Sequence, residues 1–160
     1  MISQKQSNDL WSHIEEFKTA MLISHDGQDL RARPMGVVQD SFDGTLFFFT
    51  KRDAHKVDEV KNEREVCVTF SDEDDSSYVS CSGLGRVIRD QELIDRFWNP
   101  FVAAWFPEGK DDENVALLEV HVHKAELWDN DQSAMRNLYE IAKANLTDEM
   151  PDMGRNKKYG

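Results

Sequence analysis

The chain has 160 residues, 31 of them acidic and 19 basic, for a net charge of −12 at pH 7. That length suits one domain with a core of ordinary size, and the charge excludes nucleic acid and anionic membrane as general partners, since most of the surface repels both. A locally cationic pocket would stand out against this background.

In chain order, residues 7–18 ("SNDLWSHIEEFK") place Leu10, Trp11, Ile14 and Phe17 on one face of a helix opened by a Ser or Asn cap. Residues 19–24 form a short apolar strand, 25–29 a turn, and 30–38 a second strand made edge-like by Pro34. "TLFFFT" (45–50) is a third strand, aromatic enough to be buried on both faces, and it runs straight into a helix over about 54–62. Residues 65–70 alternate as a strand, 71–77 make an acidic tip, and 78–88 form a long strand that Gly83 and Gly85 bend or bulge. Residues 90–98 read as a capped helix and 99–115 as a helix-and-loop segment. Two strands are expected over 116–129, a helix over 131–146 and a frayed tail beyond it.

Many short strands with helices only at ends and corners argue for a β-barrel with peripheral helices, mainly β within an α+β class. The domain is expected over 1–150, with 151–160 a flexible C-terminal tail. Cys67 and Cys81 sit in alternating apolar runs without zinc-ligand spacing and read as free thiols. No stretch approaches the roughly 20 apolar residues that span a bilayer, and the first residues lack a signal-peptide core, so the expected compartment is the cytoplasm.

One stretch breaks the ordinary rules. A helix N-terminus carries partial positive charge and favours acids, yet the helix after "FFFT" opens with His55 and Lys56, behind Asp53 as the expected N-cap and with Lys51 and Arg52 upstream. Arg31 and Arg33 share one strand face and could converge with them. Amides, guanidiniums, an ammonium and the Thr50 hydroxyl together suit a phosphate; surface ion pairs to the plentiful acids are the alternative. His121 and His123, with Glu119, also share a face, but they lack a third ligand at useful spacing, and no metal site is expected.

The blocks "RARPM", "FFFTKRDAHKVDEV", "VSCSGLGRV", "FWNPFVAAWFPEGKDD" and "AELWD", in this order over about residues 7–130, resemble the general stress protein branch of the pyridoxamine 5′-phosphate oxidase-like, flavin-binding split-barrel family. The resemblance implies a homodimeric split barrel holding flavin mononucleotide (FMN) at the subunit interface. It matches Arg33 to the arginine opening the flavin-contacting strand, with Pro34 and Met35 along the isoalloxazine. It pairs Phe49 with Thr50 at the end of the next strand, sets His55 and Lys56 on the phosphate, and brings Tyr78 and Trp128 near the flavin. His55 stands where Arg is more usual, which makes the grip on phosphate pH-dependent, and Ala54 stands in place of a Ser. The substrate-binding Arg/His motif of the true oxidase is not seen after the last strands, so oxidation of pyridoxamine phosphate is not implied. Two functions follow: a flavin-dependent oxidoreductase taking hydride from NADH or NADPH to a small acceptor, with no catalytic side chain assigned, or a non-catalytic flavin-binding, storage or sensing module. A deazaflavin or haem in the same groove is a third, weaker option.

Overall fold

The computed structural model describes residues 2–62, 64–129, 134–147, 149–152 and 154–160. Helix α1 (Gln4–Ile14) starts earlier than the sequence suggests, because Ser3 and Gln6 form a reciprocal capping box. Ser7 is instead a buried first-turn residue.

Strands β1 (Thr19–Asp26), β2 (Asp29–Gly36) and β3 (Thr45–Lys51) follow, and helix α2 (His55–Asn62) comes straight after β3. Next come β4 (Glu65–Asp72), β5 (Ser77–Ile88), two short helices α3 (Gln91–Phe97) and α4 (Pro100–Trp105), and β6 (Val115–Asp129). Helix α5 (Ala134–Thr147) and strand β7 (Arg155–Tyr159) end the chain. The expected helix over 131–146 is thus seen from 134, and its positions 131–133 lie outside the described residues.

All ladders are antiparallel, in the order β2–β1–β4–β5–β6–β3, with β7 on the same edge of β6 as β3. The terminal strands β2 and β3 lie against each other without pairing, which is the open seam of a split barrel. Pro34 can sit within β2 because β2 is an edge strand.

Strand alternation fills the interior. Leu22, Phe48, Val68, Phe70, Cys81 and Leu118 all point inward and are at most 1% exposed. Burying each large side chain contributes about 1.5–3 kcal/mol. A second cluster lies outside the barrel wall, where Phe47 and Phe49 of β3 pack with Ile94, Val102 and Phe106 of the α3–α4 segment.

The two strands expected over 116–129 are one, β6, fifteen residues long. A register shift opposite Ser82 and Gly83 leaves His123 unpaired and bends β6 there, which breaks its alternation in sequence. A Cβ on Gly83 would lie 2.6 Å from the His121 carbonyl oxygen, and one on Gly85 would lie 2.9 Å from Val60 of α2. Both glycines are therefore required by close approach.

The tail is also corrected. Instead of a flexible 151–160 segment, residues 155–159 pair with Ala125–Asp129 of β6, and Tyr159 is 2% exposed. The Tyr159 hydroxyl and the Lys157 ammonium both donate to the Asp9 carboxylate on α1, holding it below the usual carboxylate range, while burial and that bond push the Tyr159 hydroxyl up. Tyr159→Phe is expected to cost about 1 kcal/mol, the typical worth of one hydrogen bond, because Asp9 is partly solvated. Removal of residues 155–160 should cost several times more by uncovering the β6 edge. Urea denaturation measures both, and an unchanged midpoint for the truncation would mean that β7 does not hold the fold.

Candidate functional site

Arg31 and Arg33 alternate inward from β2, opposite Ser24 and Leu22 of β1. At this end of the barrel α2 packs on β1 and β5 and brings Glu59, 4% exposed, into the mouth. Glu59 organises what surrounds it. Arg33 Nη2 lies 2.6 Å from Glu59 Oε2 and Arg33 Nη1 donates to Ser24 Oγ at 2.8 Å. The Ser24 hydroxyl also donates to Glu59 Oε2, and Arg31 Nη1 donates to Oε1 at 3.1 Å. His55 Nε2 lies 3.3 Å from Asp26 Oδ1 and 3.5 Å from Glu59 Oε1. Burial alone would push the Glu59 carboxyl up, but the Ser24 and Arg33 hydrogen bonds and the two guanidinium charges outweigh it and hold the group below its ordinary value.

Lys56 differs from its neighbours. It is half-buried, and no described residue forms an ion pair with it. Burial lowers its pKa first and the nearby Arg33 charge lowers it further, with Glu59 opposing only in part. Arg31, Arg33 and Lys56 set three cations against the carboxylates of Asp26 and Glu59, so the cluster is net positive in a protein of net charge −12. One further anion would be well accommodated.

The ligating atoms of Asp26, His55 and Glu59 also lie within 4.8 Å of one another. A divalent cation there would face two guanidiniums already bonded to Glu59, so the surrounding charge disfavours a metal at these ligands.

Of the residues singled out in sequence, Arg33, His55 and Lys56 meet at this mouth. Thr50 is buried on the inward face at the end of β3, with its hydroxyl donating to the Lys51 carbonyl. Asp53 does not cap α2: its carboxylate accepts from the Asn114 side chain, and a turn from Lys51 to Ala54 leads into the helix. His55 directs Nε2 at the Asp26 and Glu59 carboxylates.

The remaining candidates lie elsewhere. Met35 packs in the barrel core, whereas Pro34 is exposed on the opposite face of β2, so their side chains cannot flank one ring. Phe49 stacks edge-on with Trp98 at 5.7 Å and meets Phe106 at 6.1 Å, which commits it to the outer cluster. Tyr78 and Trp128 are cross-strand partners on the outer sheet face, 39% and 43% exposed, at the β7 end. His121 binds Glu119, which Arg86 also holds, and His123 joins no ligand set among the described residues.

Sequence reasoning missed Glu59, Ser24 and Asp26. The signal for Glu59 was present: it lies four residues after His55, on the same helix face.

Known proteins share this fold. The family model described as "Pyridoxamine 5'-phosphate oxidase like" matches residues 5–152. A solved general stress FMN/FAD binding protein of Xanthomonas citri is 34% identical, with a TM-score of 0.70 over 82% of this chain and 93% of that one. A Jannaschia sp. CCS1 structure with the provisional name general stress protein 26 is 30% identical, with a TM-score of 0.75 over 98% of each chain. General stress protein 26 of Bacillus subtilis is 31% identical over 83 residues, 48% of this chain and 56% of that protein.

Folding lowers the Glu59 pKa below its ordinary 4.5, so the stabilisation this group supplies is whole above that value and is lost as pH falls through the folded one. Glu59→Gln is expected to cost about 3–5 kcal/mol at neutral pH, since it strands Arg33 without its counter-charge. It should also flatten the loss of stability in acid. Urea midpoints at neutral pH and well below 4.5 check both; parallel acid profiles for the two proteins would show that Glu59 does not carry this dependence.

Proposed function

This chain belongs to the pyridoxamine 5′-phosphate oxidase-like family, and from that premise we propose that it binds FMN as a homodimer and serves as a stress-related flavin-dependent oxidoreductase. The observation that carries the reading is Lys56, a half-buried ammonium at the start of α2, beside Arg33 and without an ion-pair partner among the described residues. A phosphate dianion there gains two cations and the amides of the helix N-terminus. Lys56 and Arg33 hold the phosphate and Thr50 borders it, while Glu59 and Ser24 keep the Arg33 guanidinium oriented. The flavin, when bound, supplies hydride chemistry between NADH or NADPH and a small acceptor.

Support for the dimer comes from the outer face of the sheet. Tyr78 and Trp128 stand on the opposite side of the barrel wall from Arg33, so one chain cannot place all three around a single ligand. Met21 and Leu84 are also exposed on that face. A second chain laid against it would bring its own Arg33 site near these aromatics.

A second reading, a flavin-storing or flavin-sensing module without turnover, is favoured by the commitment of Glu59 and Asp26 to ion pairs, which leaves neither of these two carboxylates spare as a catalytic acid or base. The proposed compartment is the cytoplasm, in keeping with two free cysteines. No described helix is long and apolar enough to cross a membrane.

Lys56→Glu is expected to weaken FMN binding by at least about 1.5–3 kcal/mol, roughly tenfold or more, while riboflavin, which lacks the phosphate, binds both proteins alike. Fluorescence titration measures this, and unchanged FMN affinity would reject the placement. Steady oxidation of NADH or NADPH by the flavin-loaded protein is expected for the oxidoreductase; its absence would select the storage reading. Sedimentation should give twice the 18.5 kDa chain mass, and a monomer with flavin bound would overturn the dimer.

A further inference from the structure

Strand β6 ends at Asp129 and β7 begins at Arg155, and these two residues are directly paired. A two-residue hairpin turn would join them. The chain instead leaves the sheet at this rung, builds α5, and returns to the same rung. Helix α5 therefore belongs to an arm tied at its base that is not needed as a connection.

The arm carries an uncovered apolar helix. Leu138 is 69% exposed, Tyr139 63%, Ile141 45% and Leu146 87%. At fourteen residues α5 is about 21 Å long, and a helix of that size is marginal in water unless something packs on it. Clustered apolar exposure of this kind marks an interaction surface. The polar side is in order, with Lys143 paired to Glu149.

The same chain exposes a matching surface. Phe101 and Trp105, four apart on α4, are 64% and 66% exposed. The Phe101 ring lies over Gly36, where a Cβ would come within 3.2 Å of it. Within the single chain α5 does not cover these rings.

We propose that α5 is an exchange arm that packs on a second copy of this chain, over the Phe101–Trp105 face of the partner. A two-fold pair satisfies both faces in both chains at once, because each protomer offers one arm and one acceptor. The size is right as well. Aromatic side chains bury about 150–250 Å² each when fully covered, so the arm and its acceptor face supply a large share of the roughly 800 Å² per partner that a stable pair needs. The base of the arm adjoins Tyr78 and Trp128, the aromatics of the outer sheet face, so the contact is continuous with the subunit boundary proposed above. The proposal rests on that dimer reading.

The test uses the full chain loaded with FMN. A photoreactive p-benzoylphenylalanine is placed at Leu138, and equal amounts of unlabelled and ¹⁵N-labelled protein are unfolded and refolded together before irradiation. The expected product is a cross-link joining a light chain to a heavy one, mapped to the peptide containing Phe101 and Trp105. A cross-link within one chain, in a sample that sediments as a dimer, overturns the arm and leaves the dimer standing. A monomer overturns both. The variants Leu138→Glu with Ile141→Glu, and separately Trp105→Glu, change only exposed positions and should each raise the dimer dissociation constant tenfold or more. An unchanged constant in both overturns the arm whatever the cross-linking yield.

Discussion

A carboxylate shut away from water persists only where cations and donors enclose it, and Glu59 sets that condition for the whole mouth of this barrel. Its two oxygens receive Arg31, Arg33 and Ser24 from two strands, while its own backbone belongs to α2. One side chain thereby fastens a helix to the edge of the sheet and holds the Arg33 guanidinium in place. Because Glu59 and Asp26 already answer the arginines, the ammonium of Lys56 is left without an ion pair among the described residues. The anion specificity proposed for the site is thus a difference of charges, set by which cations the protein neutralises for itself.

The seam is the other half of the design. In a closed barrel β2 and β3 would pair, and the inward arginines would have no outlet. Left unpaired, these edges keep Arg33 near the surface at 14% side-chain exposure while the apolar interior stays buried a few rungs away. Edges of this kind invite unwanted pairing, and here Pro34, which has no backbone N–H to donate, limits it on β2. At the far end, β7 covers part of the β6 edge and is tied to α1 through Asp9.

The outer aromatics follow from strand alternation. Every inward residue has neighbours that point out, so a wall that buries Val79 and Leu127 must also present Tyr78 and Trp128. This acidic chain thus shows aromatic surface at its sheet face, on α4 and on α5.

What the sequence by itself determined is what depends on nearest neighbours along the chain. Apolar runs and alternation placed β1 to β5 but split β6 in two; Gly83 announced the bulge, residue 90 the capped start of α3, and the run from β3 into a helix opening with His55 and Lys56 located the cationic site. Arg31 and Arg33 were legible as a same-face pair for the same reason. Only the tertiary structure decided which charges cancel, since ion pairing depends on residues from β1, β2 and α2 sharing one poorly solvated space. His55 went to Asp26 and Glu59, and Lys56 was left over. It also decided where Met35 and Phe49 point, because two packing layers compete for the faces of β2 and β3. Strand β7, "RNKKY", has no apolar alternation to read; it is a strand because the β6 edge supplies its hydrogen bonds and Asp9 receives Lys157 and Tyr159.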